Sequence, residues 1–225
     1  MSDLNRFTEF LKSLQTNPTL YKIKTFEEDL RGALNPSTWL HKAFFEEGKL
    51  LNFKAFYEYY LTNNSHLLKQ TFPHIAWTDL CNGLEARLYR TQFGMLTEYH
   101  AYYLSQDFFG SANVIRDVAL DKTGVDFQIR FNGNAYNIHI FVDTDRAWSY
   151  RRYKVQHKQG NAVSGIHVNL PYALSLGRFN SLEYLPNRFG IYTRSYLEYL
   201  KNEMLSGRIL NDNIIGTTAT GFIYR

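Results

Sequence analysis

The chain has 225 residues, enough to bury a sizeable core in one domain or two small ones. Hydrophobic residues make up 44% and charged residues 20%, a balance that excludes a disordered chain, and no apolar run of about 18 residues predicts a membrane span. A net charge of +4 leans toward an anionic partner, while the single cysteine, Cys81, excludes an intramolecular disulfide and a cysteine-based zinc site.

The first residues mix charges with apolar groups, unlike a signal peptide, so a cytoplasmic protein is expected. Leu4, Phe7, Phe10, Leu11 and Leu14 follow a helical spacing, with Ser2 or Asp3 as cap and Asn17-Pro18 as stop. A second helix fits residues 26–34, a third is capped by Ser37 or Thr38, and a fourth starts at Asn52. The run Asn63-Asn64-Ser65 is expected to break that fourth helix. A long helix capped by Thr78 or Asp79 then carries Leu80, Leu84, Leu88, Met95, Tyr99 and Tyr102, ending near Gln106.

After Gly110 the apolar period falls from 3.6 to 2. Residues 114–120 and 125–131 read as strands, and Asn132-Gly133 favours a two-residue hairpin turn into a third strand over 134–143. With those two residues as the loop, paired numbers sum to 265. Gln128 then faces Asn137, and Asp126 faces His139, close enough for a carboxylate and an imidazole to share a hydrogen bond or a metal ion.

Asp143-Thr144-Asp145 caps a helix over residues 146–158 that holds Arg146, Arg151, Arg152, Lys154, His157 and Lys158 with no acid among them. Such a helix repels itself, and facing phosphates relieves it. Arg130 adds a further cation from the second strand. A short strand over 166–170 ends at Pro171, residues 172–187 read as loop, a helix covers 193–205, and an edge strand is expected near Phe222.

The order long helix, three strands, helix, strand, with an acid opening the second strand, resembles the core of the PD-(D/E)XK nuclease superfamily over roughly residues 79–170, with Gly124-Val125-Asp126 standing where the family has Pro-Asp. The resemblance implies an α/β (α+β) protein: a helical N-terminal half, 1–78, packed on a restriction-endonuclease-like αβββαβ core, 79–225, as one compact domain. In the family the Asp is followed on the next strand by Glu-x-Lys, whose carboxylates hold Mg²⁺ and whose Lys positions water. Here those positions are His139-Ile140-Phe141.

By similarity, His139 would serve as general base or metal ligand beside Asp126, and Glu98 on the long helix would supply the second carboxylate. The resemblance thus implies a metal-dependent DNA endonuclease of restriction or defence type, using Mg²⁺ (or Mn²⁺) at Asp126 and His139, and acting on double-stranded DNA as a homodimer. Arg130, Arg146, Arg151, Arg152, Lys154 and Lys158 would bind the nucleic acid. Two alternatives stand beside it: a catalytically inactive nuclease-like DNA-binding module, and a protein-interaction subunit whose aromatic surface meets a partner.

Overall fold

In the computed structural model, which describes residues 2–22, 30–117, 120, 123–156, 163–173, 182–218 and 221–224, helices dominate the first half and a mixed sheet the second. The expected α/β class holds. Two units are defined by their internal contacts: one comprises 1–8, 97–185 and 190–225, the other 9–96 and 186–189. No helix among the described residues is long and apolar enough to cross a membrane.

The helical unit contains the end of α1 (Asp3–Ser13), α2 (Pro18–Lys22), α3 (Pro36–His41), α4 (Phe53–Thr71) and the first part of α5 (Trp77–Phe109). Its core is Leu34, Leu40, Phe56, Tyr60, Leu68, Leu80, Leu84 and Leu88. The caps follow the chemistry of short polar side chains. Asn52 accepts from the Ala55 N–H at 2.9 Å. For α3 the cap is Asn35, which accepts from Ser37 at 3.1 Å, with Pro36 in the first helical turn, rather than Ser37 or Thr38. Of the expected helix over 26–34, residues 26–29 lie outside the described residues, and in the rest only Gly32–Leu34 is helical, as a 3₁₀ turn.

The break expected at Asn63-Asn64-Ser65 does not occur. Asn63 and Asn64 turn their amides back onto the carbonyls of Tyr59 and Tyr60, at 2.7 and 2.9 Å, and the helix continues so that Leu68 reaches the core. Tertiary burial outweighs the weak helix propensity of the pair. Asn187 closes the unit by donating to carbonyls at the end of α1: Leu11 at 2.7 Å and, just beyond the helix, Leu14 at 2.8 Å.

The second unit is built on a six-stranded sheet in the order β1 (Val114–Ile115), β2 (Phe127–Phe131), β3 (Asn134–Val142), β4 (Ile166–Tyr172), β7 (Asn213–Thr218), β8 (Gly221–Tyr224). A separate ribbon pairs β5 (Leu182–Tyr184) with β6 (Gly190–Tyr192). The hairpin register is the expected one: Phe131 pairs Asn134 and Gln128 pairs Asn137. Asn132 (φ 48) and Gly133 (φ 75) both take the left-handed conformation that this turn requires.

β3 is antiparallel to β2 but parallel to β4, and the crossover between the parallel pair is α6 (Asp145–Gln156). Thr144 caps α6 by accepting from Ala147 at 3.2 Å. β4 continues past Leu170 through Pro171, because β7 pairs only with Val168 and Asn169, so the missing proline N–H breaks no ladder there. One sheet face carries Phe127, Ile129, Tyr136, Ile138, Ile140, Val168 and Leu170 into a core with Ala101, Leu104 and Phe109 of α5 and Tyr196, Leu197 and Leu200 of α7 (Arg194–Ser206). Alternation then places Gln128, Asn137, His139, His167 and Asn169 on the other face.

Candidate active site

Asp126 lies at the mouth of β2, just after the turn at Gly124 (φ 75). The paired positions of the hairpin end at Phe127 and Ile138, one residue short of it. Its own N–H donates to the Ile138 carbonyl at 2.9 Å, and its carboxylate oxygen Oδ2 accepts from the Ile140 N–H at 2.5 Å. The side chain therefore stands in for a backbone carbonyl at the place where the ladder opens. A carboxylate fixed by a backbone N–H is both oriented and favoured in its ionised form.

β1 runs antiparallel to β2 and delivers Arg116 alongside Asp126. The guanidinium Nη1 donates to the Asp126 carbonyl at 3.0 Å and pairs with Glu98 Oε1 at 2.6 Å. It also lies over the Tyr99 ring, 4.7 Å from the centroid. Only 3% of the Arg116 side chain is exposed, against 15% for Glu98. Burial alone would lower the pKa of Arg116, but Glu98, Tyr99 and Asp126 together hold it above the ordinary arginine value. Arg116, which the sequence did not single out, thus links the Glu98 side chain to the Asp126 main chain. Tyr192, fully enclosed, has its phenol pushed well up, by burial first and then by neighbours that include Asp126 and Glu98.

His139 is also near Asp126 in the chain path, but its ring is spoken for. Nδ1 lies 2.7 Å from the Gly124 carbonyl, and Nε2 lies 2.8 Å from Nδ1 of His167. A carbonyl only accepts, so the Nδ1 proton is fixed and the Nε2 lone pair points at His167. In that tautomer neither nitrogen offers a lone pair to a metal or to water. His167, on the neighbouring strand β4, is a direct partner of His139. Phe141, at the family's Lys position, packs edge-on against Trp148 at 4.7 Å, and the Trp148 indole donates to Asp143 at 2.6 Å.

The basic residues divide. Arg146 and Arg130 are exposed. Arg151 is buried instead, donating through Nε to Asn169 at 2.8 Å and pairing with Asp212 at 3.1 Å. Burial lowers its pKa, with Asp212 and then Asp126 opposing. The side chains of Arg152 and Lys154, and the whole of Lys158, lie outside the described residues.

Among the described residues no three His, Cys, Asp or Glu side chains form a metal cage. Mg²⁺ does not need one: it is commonly held by one or two carboxylates together with substrate phosphates and water. Asp126 and Glu98 each carry carboxylate oxygens of the kind such an ion takes, whereas both ring nitrogens of His139 are engaged in hydrogen bonds.

A long helix bearing Glu98, a strand opened by Asp126, and a helical crossover into a parallel strand define a core of restriction-endonuclease type. Residues 4–179 match the TaqI restriction endonuclease family, and the chain belongs to that family. It is 27% identical over 257 aligned positions to the Type II restriction enzyme TthHB8I of Thermus thermophilus, covering 97% of this chain and 96% of that one. To the Type II restriction enzyme TaqI of Thermus aquaticus it is 30% identical over 185 positions, covering 76% of this chain and 68% of the relative. No solved structure matches the chain.

Proposed function

We propose that this chain is a metal-dependent DNA endonuclease of restriction type, hydrolysing phosphodiester bonds of double-stranded DNA at the Asp126 centre. The observation that carries the reading is one buried cation, Arg116, that pairs with the Glu98 carboxylate and holds the Asp126 main-chain carbonyl at the open end of the β2–β3 ladder, in a chain of the TaqI family.

Asp126 presents its carboxylate with one oxygen anchored by the Ile140 N–H. Arg116 holds the Asp126 main chain and neutralises Glu98, which keeps a positive charge beside both residues. Asp126, with Glu98 beside it, would hold Mg²⁺ or Mn²⁺, and a bound ion there supplies Lewis-acid stabilisation of the charge that builds on the phosphate. Arg130 and Arg146 offer exposed cations for backbone phosphates. A homodimer goes with this reading, because a two-fold pair presents one centre to each strand of a duplex.

A second reading, DNA binding without cleavage, is favoured by the replacement of Glu-x-Lys by His139-Ile140-Phe141. Plasmid and phage DNA incubated with the protein and Mg²⁺ or Mn²⁺, beside Asp126→Asn, separates the two. Asn keeps an oxygen for the Ile140 N–H, so loss of cleavage in the variant reports the lost charge. Salt-sensitive binding with no cleavage by either protein would sink the nuclease reading in favour of the second.

A further inference from the structure

On the sheet face away from the apolar core, four buried polar side chains form a continuous line. Gln128 of β2 donates to Asn137 of β3 at 2.8 Å. The Asn137 amide nitrogen lies 3.3 and 3.4 Å from the Ser164 and Val163 carbonyls, and 3.5 Å from Nε2 of His167 on β4. His167 Nδ1 meets His139 Nε2 at 2.8 Å, and His139 Nδ1 meets the Gly124 carbonyl at 2.7 Å. The two rings are nearly parallel, 12° apart, with centroids 5.1 Å apart. With a 2.8 Å contact between ring nitrogens, that separation describes rings joined edge to edge and not stacked face to face.

The line has a direction fixed independently at both ends. The Val163 and Ser164 carbonyls demand the NH₂ end of Asn137, so His167 Nε2 must accept and His167 Nδ1 must carry the proton. At the other end the Gly124 carbonyl demands a proton on His139 Nδ1, leaving His139 Nε2 to accept from His167. Each end fixes the same state: two neutral imidazoles, each in the Nδ1–H tautomer.

Asn137 is 0% exposed, His139 2%, and Gln128 and His167 8% each. A polar line so deeply buried and so fully hydrogen-bonded rigidifies its surroundings and specifies their geometry. Its terminus lies two residues before Asp126.

We propose that His167, acting through His139, is a positioning residue for Asp126: the imidazole pair holds the Gly124 carbonyl and so sets the carboxylate onto the Ile140 N–H. The role in cleavage rests on the nuclease reading above, while the geometric role does not.

Two measurements on the full chain separate them. Long-range ¹H–¹⁵N spectra of the wild-type imidazoles give Nδ1–H for both His139 and His167, the minor form in water. Amide exchange in His167→Ala shows the Ile140 N–H losing protection while Ile129 and Ile138 keep theirs, and His167→Asn, which restores a donor at the Nδ1 position, recovers it. If wild-type protein cleaves DNA, His167→Ala slows single-turnover cleavage by about 10–100-fold, the range typical of outer-shell partners, with DNA affinity unchanged and His167→Asn intermediate. Nε2–H tautomers, or an Ile140 amide equally protected in His167→Ala, overturns the proposal whether or not the protein cleaves. A cleaving protein whose His167→Ala variant is as fast as wild type overturns it too. Should His167→Ala fail to fold, the wild-type tautomers and the comparison of His139→Asn with His139→Gln, which lacks a donor at Nδ1, decide by the same two readouts.

Discussion

Replacing Arg116 by Met removes the cation but keeps most of its volume, and the structure sets the size of the loss. The guanidinium is almost wholly buried, pairs with Glu98 at 2.6 Å, bonds the Asp126 carbonyl at 3.0 Å and covers the Tyr99 ring. Removing one member of a buried ion pair costs roughly 3–5 kcal/mol, chiefly because the other charge is left without its partner. Glu98 retains some contact with water, which places the expectation near the low end, and the lost ring contact adds about 1 kcal/mol. Arg116→Met should therefore lose about 4 kcal/mol in urea titrations with an unchanged m-value. Glu98→Gln strands the opposite charge and should also destabilise. The double variant removes both charges, so it should recover about 2 kcal/mol relative to the sum of the single losses. A loss below about 1 kcal/mol for Arg116→Met, or strict additivity of the two changes, would refute the claim that this pair is what holds the centre together.

His100 on α5 is buried with no hydrogen-bond partner at Nδ1, and burial lowers its pKa to about 4 from the model-compound 6.5. The unfolded chain takes up this proton first, so stability should fall as the pH drops from 6.5 toward 4, by about 3 kcal/mol at most, and level off below; His100→Phe should flatten that limb of the pH–stability curve. Arg146→Ala should weaken DNA binding and reduce the slope of log K against log salt by about 1. Arg151→Ala should chiefly destabilise the fold, by about 3 kcal/mol in thermal or urea unfolding, since it strips partners from Asn169 and Asp212. A Cβ on Gly165 (φ 127) would sit 2.5 Å from the Ala135 carbonyl oxygen, whereas one on Gly133 meets nothing within 4 Å. Gly165→Ala should thus lose well over 2 kcal/mol and Gly133→Ala only about 1, the strain of the left-handed backbone; equal losses would contradict the geometry.

The hairpin, the long helix and the crossover helix were legible because each is specified locally: alternation, Asn132-Gly133 and Thr144 act within a few residues of themselves. β7 was not. Asn213–Thr218 holds only two large apolar residues, and its identity as a strand comes from lying parallel to Val168 and Asn169. The ribbon of β5 and β6 was missed for the same reason, being three residues on each side. At the site, Asp126 and Glu98 were found through chain order, whereas Arg116 stands just beyond a two-residue strand and has no periodic signature. Arg151 looked like one more phosphate-facing cation, because nothing in a run of basic residues tells which of them turns inward to a distant acid such as Asp212. The polarity of His139 was legible, but its partner was not, since parallel pairing across α6 brings residue 167 beside it.

The strand order carries a consequence for how the chain is made. β4 lies in the interior of the finished sheet, between β3 and β7, yet about 40 residues, 173–212, separate it from the strand that covers it. At about 5–20 residues per second of synthesis, β4 spends some seconds with one edge open. The positions that β7 covers are Val168 and Asn169, both buried in the folded protein, so during this interval the nascent chain offers a sticky template for other strands. Chains released before Asn213 would keep that edge permanently, and truncated products of this gene should collect in the insoluble fraction or on holdase chaperones.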